Sequence, residues 1–318
     1  MKKLAFFLVV FQLISILGGC AGNDTASTET TQPQTTALSK TEENGMIKID
    51  DPAGDDILNI LMVGNSFCFY FCDELYGMLE AAGIKARVCN VYYSGCKLEQ
   101  HWTWWKGNVS NYDFIVNDES GKNKTEGANL EYCLSQGNWD VITLQEGSAK
   151  MRKGTPAAEL AISAQYRQDL YGLFADKFPL AKRYWHQTWA YQVGFDRDSY
   201  QVDGAEQSAY HERQREYALS VCQENNVTRI PSGDAWKIVR DGGYDDLCAR
   251  LAKDNGIGDF YHDGDIGGGQ YLNACVWFET LTGQSCIGNT FRPDYELSEE
   301  LIATLQNAAH TAVAESTK

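Results

Sequence analysis

The feature that most constrains the fold is an apolar run that ends in a small polar turn. Residues 57–63 read Ile-Leu-Asn-Ile-Leu-Met-Val and are followed by Gly64, Asn65 and Ser66. A run of this length is typical of a β-strand buried on both faces. Apolar residues with helical spacing follow over 75–82. The stretch therefore predicts a parallel strand that delivers Ser66 to the carboxyl edge of a sheet, where open α/β folds bind their ligands.

Strand-like and helix-like segments alternate along the rest of the chain, and this alternation favours a parallel sheet covered by helices on both faces. The predicted fold class is α/β, a three-layer α/β/α sandwich with a mostly parallel central sheet. Further strands are predicted over 84–93, 139–144, 183–191 and 227–230, and helices over 130–134, 157–178, 207–224, 235–239, 270–281 and 298–313. Residues 112–128 are predicted to form a polar hairpin or a loop excursion.

The N-terminal region differs in composition from the rest. Residues 1–20 have a basic start and a short apolar core, and they end in Leu-Gly-Gly-Cys, which resembles a bacterial lipobox. We expect cleavage before Cys20, lipid attachment to its thiol, and export to a bacterial membrane or cell surface. Residues 21–54 are rich in Thr, Ser, Gln and Glu and are predicted to be a flexible polar linker. Residues 55–318 form the predicted catalytic domain.

Composition limits the partners. The 318 residues carry a net charge of −16, which argues against binding to nucleic acid or to an anionic membrane surface. Membrane contact is expected only through the lipid anchor. The 10 cysteines have irregular spacing and no C-x-x-C pair, so neither a disulfide framework nor a structural zinc site is predicted. No metal or organic cofactor is expected.

Considered alone, Ser66 is compatible with two roles. A serine at the end of a buried strand can be a nucleophile, because backbone N–H groups of the turn can face a developing oxyanion. A serine at this position can equally serve as the N-cap of the following helix. The local sequence leaves both roles open.

Four blocks in the chain resemble the SGNH (GDSL-like) hydrolase superfamily, and more narrowly the bacterial DUF4886 family. The blocks are Gly64-Asn65-Ser66, Gly95, Gln145 and Asp259-x-x-His262, in that order. The resemblance implies a flavodoxin-like SGNH hydrolase fold and no cofactor. The segments that carry the narrower resemblance are 61–67, 139–148, 187–191 and 269–272, and the whole resemblance extends over 56–315.

The resemblance implies a catalytic Ser-His-Asp arrangement. Ser66 would be the nucleophile, His262 the base that takes its proton, and Asp259 the carboxylate that orients the imidazole. Asp263 also flanks His262, as does Asp265, so the identity of the orienting carboxylate stays open. His186, at the end of a predicted strand, is the alternative base.

The implied oxyanion hole consists of the N–H groups of Ser66 and Gly95 and the side-chain amide of Gln145. The superfamily usually has asparagine in the third block, whereas this chain has glutamine. Glutamine offers the same donor on a longer arm, and can serve if its backbone lies further from the reacting atoms. Otherwise Gln145 is a strand-end residue that binds a loop.

Aromatic residues suggest a carbohydrate substrate, because flat rings suit the C–H faces of sugars. His101, Trp102, Trp189 and His186 are the predicted substrate-binding residues, although packing also accounts for such rings. The predicted function is that of an esterase that removes an O-acyl group, most plausibly acetyl, from a carbohydrate or similar ester. The alternative is a catalytically weak carbohydrate-binding surface lipoprotein on the same fold.

Overall fold

The computed structural model describes residues 40–43, 46–49, 54–197, 200–244, 246–248 and 268–316. Cys20, Asp259 and His262 lie outside these residues, as do Asp263 and Asp265. The strands are β1 (Lys40–Glu43), β2 (Met46–Ile49), β3 (Leu58–Gly64), β4 (Ala86–Tyr92), β5 (Tyr112–Asp118), β6 (Gly121–Ala128), β7 (Val141–Leu144), β8 (Lys182–His186), β9 (Asp196–Arg197), β10 (Tyr200–Gln201) and β11 (Thr228–Ile230). The helices are α1 (Cys72–Ala81), α2 (Leu98–Gly107), α3 (Leu130–Ser135), α4 (Ala157–Lys177), α5 (Gly204–Asn225), α6 (Ser232–Asp241), α7 (Gly269–Thr282) and α8 (Glu299–Ser316), with short 3₁₀ turns at Ser66–Cys68 and Ser148–Met151.

Seven strands form one sheet in the order β11-β8-β7-β3-β4-β5-β6. The first five are parallel, and β5 and β6 add an antiparallel hairpin at one edge. The β6 edge is exposed and carries lysines, which discourages pairing with another sheet. The predicted hairpin over 112–128 is confirmed, and it extends the main sheet. Two further antiparallel pairs, β1–β2 and β9–β10, are separate from this sheet.

The central strand β3 is buried on both faces, as its apolar run predicts. Ile60 and Met62 belong to a core shared with α1, α6, α7 and α8. Leu61 and Val63 belong to a second core shared with α2, α3 and α4. Helices therefore cover both faces of a mostly parallel sheet, and the predicted α/β/α fold class is confirmed. The β1–β2 hairpin falls within the segment predicted as a linker, whose bounds stay a prediction.

Strand β8 is shorter than predicted. It ends at His186, because the next residue leaves the strand to bind two other elements. The Gln187 N–H donates to the Ile230 carbonyl of β11, and the Gln187 carbonyl accepts from the Gly233 N–H of α6, both at 3.0 Å. A Cβ on Gly233 would lie 2.5 Å from the Thr188 carbonyl oxygen, so glycine is needed for this close approach.

The nine cysteines in the described part of the chain are free thiols, and eight of them are buried. The eight buried cysteines serve as small core residues. Burial raises the pKa of the Cys68 thiol, near the serine turn, to about 12. That thiol therefore stays protonated at neutral pH and is a poor nucleophile. Among the described residues, no helix is both long enough and apolar enough to cross a membrane.

Candidate active site

Ser66 lies where β3 ends, in a turn whose cap is the preceding residue. The Asn65 backbone is extended, and its side-chain oxygen accepts a hydrogen bond from the Phe67 N–H at 3.1 Å. Ser66 then begins a short 3₁₀ turn, and α1 starts only at Cys72. Asn65 therefore caps the 3₁₀ turn and Phe71 is the N-cap of α1, so Ser66 is not the N-cap of the helix that follows. Ser66 is 8% exposed, so the surrounding residues restrict access to its hydroxyl.

Two parallel neighbours bring their carboxyl ends to the same edge as Ser66. Gly64 of β3 is paired with Tyr92 of β4, and Val63 is paired with Leu144 of β7. Gln145 follows Leu144 directly, and its Nε2 donates to Asn65 Oδ1 at 2.6 Å. The expectation that a neighbouring strand brings Gln145 to the serine turn is thus met at the level of backbone placement and of this one contact.

Gly64 allows this close approach. A Cβ at this position would lie 2.8 Å from Cys68 Sγ and 2.9 Å from Gln145 Cγ. Real Cβ atoms do not approach neighbours so closely, so any larger residue would displace the Gln145 side chain. The absence of a side chain at Gly64 therefore leaves the space that the Gln145 side chain occupies.

Gly95 lies in the loop that follows β4, the strand that neighbours β3 on the side opposite β7. Its φ of +66° is in the left-handed region that glycine adopts at little cost. The same loop is tied to the serine turn, because Asn65 Nδ2 donates to the Cys96 carbonyl at 2.9 Å. The Asn65 side chain therefore connects three segments: the serine turn, the Gly95 loop and the end of β7.

His186 is placed at the end of β8, beside Gln145. Its Nδ1 lies 3.2 Å from Gln145 Oε1, and its Nε2 lies 3.0 Å from Ser232 Oγ. The ring is 1% exposed, and burial lowers the pKa of His186 to about 3. Both ring nitrogens thus have partners, and the imidazole binds a proton only weakly. This environment does not favour His186 as the general base.

The other predicted substrate-binding rings lie mostly in the interior. His101 is 1% exposed, and its Nδ1 lies 2.9 Å from the Tyr112 hydroxyl. Trp189 is 3% exposed and stacks on Trp236 with ring centres 4.6 Å apart. Trp102, on α2, is partly buried against the second core. Packing accounts for His101 and Trp189 as they stand, and a role in substrate binding stays a prediction.

Sequence reasoning missed exposed aromatic residues close to the serine turn in sequence and topology. Tyr70 follows the 3₁₀ turn and is 38% exposed, and Tyr93 follows β4 and is 39% exposed. The residues that precede them in sequence pair with each other, because Phe69 stacks on Tyr92 with ring centres 4.5 Å apart. Strand ends followed by consecutive aromatic residues could have marked these positions, since the carboxyl edge is where ligands bind.

The described part of the site offers a hydroxyl and amide donors, but no imidazole presented as a base. The predicted base, His262, and its partner Asp259 lie outside the described residues. Within the described residues, no group of three or more His, Cys, Asp or Glu side chains is arranged to hold a metal ion. The chemistry that the described residues can support is nucleophilic attack by Ser66 with stabilisation of an anion by N–H groups.

Comparisons with known proteins show what this chain is similar to. The family model described as "Domain of unknown function (DUF4886)" matches residues 59–312. A crystal structure of a DUF4886 family protein from Bacteroides uniformis is similar, with 25% identity and a TM-score of 0.72 over 83% of this chain and 97% of that one. A crystal structure of an acetyl xylan esterase matches at 12% identity, with a TM-score of 0.44 over 69% of this chain and 98% of that one. No curated protein matches the chain.

Proposed function

The chain belongs to the DUF4886 family, and from that premise we propose that its α/β domain is a serine ester hydrolase with Ser66 as nucleophile. The observation that carries the proposal is the meeting of three strand ends at one edge of the sheet. Ser66 follows β3, Gly95 follows β4, and Gln145 follows β7. Asn65 joins all three through its side-chain hydrogen bonds.

In the proposed mechanism, acyl transfer occurs in two steps. The Ser66 oxygen attacks the ester carbonyl while His262 takes the hydroxyl proton, and the imidazolium then gives that proton to the leaving alcohol. Water, deprotonated by the same imidazole, attacks the acyl-serine; the bond to the Ser66 oxygen then breaks, the imidazolium returns its proton to that oxygen, and the carboxylic acid is released. Asp259 would keep the imidazole in the required tautomer.

The proposed oxyanion hole uses donors that surround the Asn65 side chain. The amide nitrogen of a glutamine side chain carries two hydrogens, and Gln145 Nε2 donates one of them in its hydrogen bond to Asn65 Oδ1. The second hydrogen can donate to the oxyanion, together with the backbone N–H groups of Ser66 and Gly95. The longer arm of glutamine is compatible with this role because Gly64 leaves room for it.

We propose an O-acylated carbohydrate, specifically an acetyl ester, as the substrate. Tyr70 follows the serine turn and Tyr93 follows the neighbouring strand β4, and their exposed rings suit the C–H faces of a sugar. The net charge of −16 favours a neutral glycan over a polyanion. A lipid anchor at Cys20 and a linker over 21–54 would hold such an enzyme at a membrane, and both stay predictions.

The decisive experiment is labelling with a fluorophosphonate, which reacts with activated serines. We expect the intact protein to be labelled and Ser66→Ala to be unlabelled and inactive on p-nitrophenyl acetate. His262→Ala should lower kcat by about 10³-fold or more. Ser135→Ala removes an exposed serine on α3 and serves as the control, with full labelling. Equal labelling of the Ser66→Ala variant would place the activated serine elsewhere and contradict the proposal, whereas absence of labelling in the intact protein would favour the carbohydrate-binding lipoprotein.

A further inference from the structure

The hydrogen bonds around Gln145 have a direction that starts at the backbone. Asn65 Nδ2 donates to the Cys96 carbonyl at 2.9 Å, and Asn65 Oδ1 accepts from the Phe67 N–H at 3.1 Å. A backbone carbonyl can only accept and a backbone N–H can only donate. The Asn65 amide therefore has one orientation, with its oxygen turned towards Gln145.

That orientation determines the protons of every following group. Asn65 Oδ1 can only accept, so Gln145 presents Nε2 to it at 2.6 Å and turns Oε1 towards His186. Gln145 Oε1 can also only accept, so the proton of the neutral His186 ring must be on Nδ1, 3.2 Å away. His186 Nε2 then accepts, and the Ser232 hydroxyl donates to it at 3.0 Å.

The last three residues of this hydrogen-bond network are buried. Gln145 is 3% exposed, His186 is 1% exposed, and Ser232 is fully buried. The rings of Phe71 and Trp277 have their centres 5.9 and 5.0 Å from that of His186, both in edge contact, which restrains its rotation. A buried polar atom that loses its hydrogen-bond partner destabilises the fold, so this arrangement of the three side chains is energetically favoured.

We propose that His186 and Ser232 are positioning residues that hold the Gln145 amide with its NH₂ group turned towards the serine turn. This inference rests on the proposed function, in which that NH₂ group stabilises the oxyanion. His186 touches neither the substrate nor the Ser66 proton in this role. Ser232 keeps the Nδ1-protonated tautomer by occupying Nε2, and Nδ1–H holds the Gln145 oxygen away from the reacting carbonyl.

A matched pair of variants at His186 tests the positioning role. Asparagine can place an N–H donor where Nδ1–H stands, whereas leucine has a similar size and no donor. We expect His186→Leu to have a kcat at least about 10-fold below that of His186→Asn, with KM values within about 2-fold of each other, because the lost interaction acts only on the oxyanion. Turnover is referred to the folded fraction, measured by near-UV circular dichroism.

The outcomes separate the positioning role from the proposed function. If Ser66→Ala keeps full hydrolysis, the proposed function fails whatever the His186 variants do. If hydrolysis depends on Ser66 and the two His186 variants have equal kcat, the positioning role is overturned alone.

A spectroscopic measurement on the unmodified protein completes the test and needs no activity. Nitrogen-15 NMR distinguishes the two neutral tautomers of histidine. We expect His186 to be protonated on Nδ1 and not on Nε2 near neutral pH. The Nε2-protonated tautomer would reverse every hydrogen bond from Ser232 to Gln145 and would overturn the proposal, even if both His186 variants failed to fold.

Discussion

At the scale of a single residue, the Gln145 side chain has two roles. Its side chain must satisfy Asn65 on one side and His186 on the other, in a space where it is 3% exposed. In the proposed mechanism it also keeps one amide hydrogen for the oxyanion. A shorter asparagine at the same backbone position would have less reach towards Asn65, which gives a physical reason for glutamine in this chain.

Two substitutions at Gln145 test this assignment. Gln145→Ala should lower kcat by about 10²-fold, roughly 2.7 kcal/mol, with little change in KM. Gln145→Glu should lower kcat further, because a carboxylate would face Asn65 Oδ1 and repel the oxyanion. Turnover of p-nitrophenyl acetate per folded molecule is the measurement, and Gln165→Ala, at an exposed position on α4, is the control. Unchanged turnover in both Gln145 variants would remove Gln145 from the oxyanion hole.

The sequence predicts some of these residue roles and not others. The neighbourhood of Gln145 and Ser66 follows from adjacent parallel strands, because such strands end at one edge of the sheet. The partners of His186 cannot be predicted from the sequence. Ser232 belongs to α6, and the sequence gives the order of this helix along the chain but not its position next to His186. The sequence does not show whether Trp189 packs in the core or binds a sugar, because its stacking on Trp236 is visible only in three dimensions.

At the scale of elements, the strand-to-turn junction is more crowded than its sequence indicates. The pattern predicts a helix directly after Ser66, but a 3₁₀ turn intervenes and α1 begins at Cys72. The segment 187–191, predicted as strand, instead packs against the start of α6. In both places hydrogen bonds set the path of the backbone, from the Asn65 side chain at the serine turn and from Gln187 after β8, and local periodicity does not reveal such contacts.

Gly64→Ala tests the crowding at this junction. The new Cβ would meet Cys68 Sγ and Gln145 Cγ within 3 Å, so the Gln145 side chain must move. We expect a loss of about 1–3 kcal/mol in the free energy of unfolding, typical of overpacking, and a fall in kcat per folded molecule of at least about 10-fold. Urea unfolding and esterase assays measure the two effects.

Gly172→Ala is the matched control for that substitution. Gly172 lies within α4, and no atom lies within 4 Å of a Cβ built there. Alanine at this position should raise the free energy of unfolding by about 0.5–1 kcal/mol and leave kcat unchanged. Full activity in Gly64→Ala would mean that the position of Gln145 is not important for the reaction.

At the scale of the whole molecule, one buried acid links the segment after Ser66 to the helix that follows the predicted base. Glu74 of α1 is 6% exposed, and Gln270, near the start of α7, can donate to its Oε1 at 3.0 Å. Burial raises the pKa of Glu74 to about 7. Nothing in the sequence distinguishes Glu74 from the other acids of α1, because its burial results from packing against α7.

The sign of this shift predicts how stability depends on pH. A free glutamate has a pKa of about 4.3, so between there and about pH 7 the folded protein binds a proton that the unfolded chain has released. The contribution of Glu74 to the free energy of unfolding is therefore fully present below about pH 4 and is lost as the pH rises through 7. Glu74→Gln stays neutral at every pH and should escape this loss.

We expect Glu74→Gln to stabilise the fold relative to the unmodified protein by about 2 kcal/mol more at pH 8 than at pH 5. Urea unfolding at a series of pH values measures this difference. Glu80→Gln, which removes the same formal charge from an exposed position of α1, is the control and should show a much smaller change. A stabilisation by Glu74→Gln that does not grow with pH would mean that the Glu74 carboxylate is ionised and compensated in the fold. The contact between α1 and α7 would then involve a charged carboxylate and not a neutral acid.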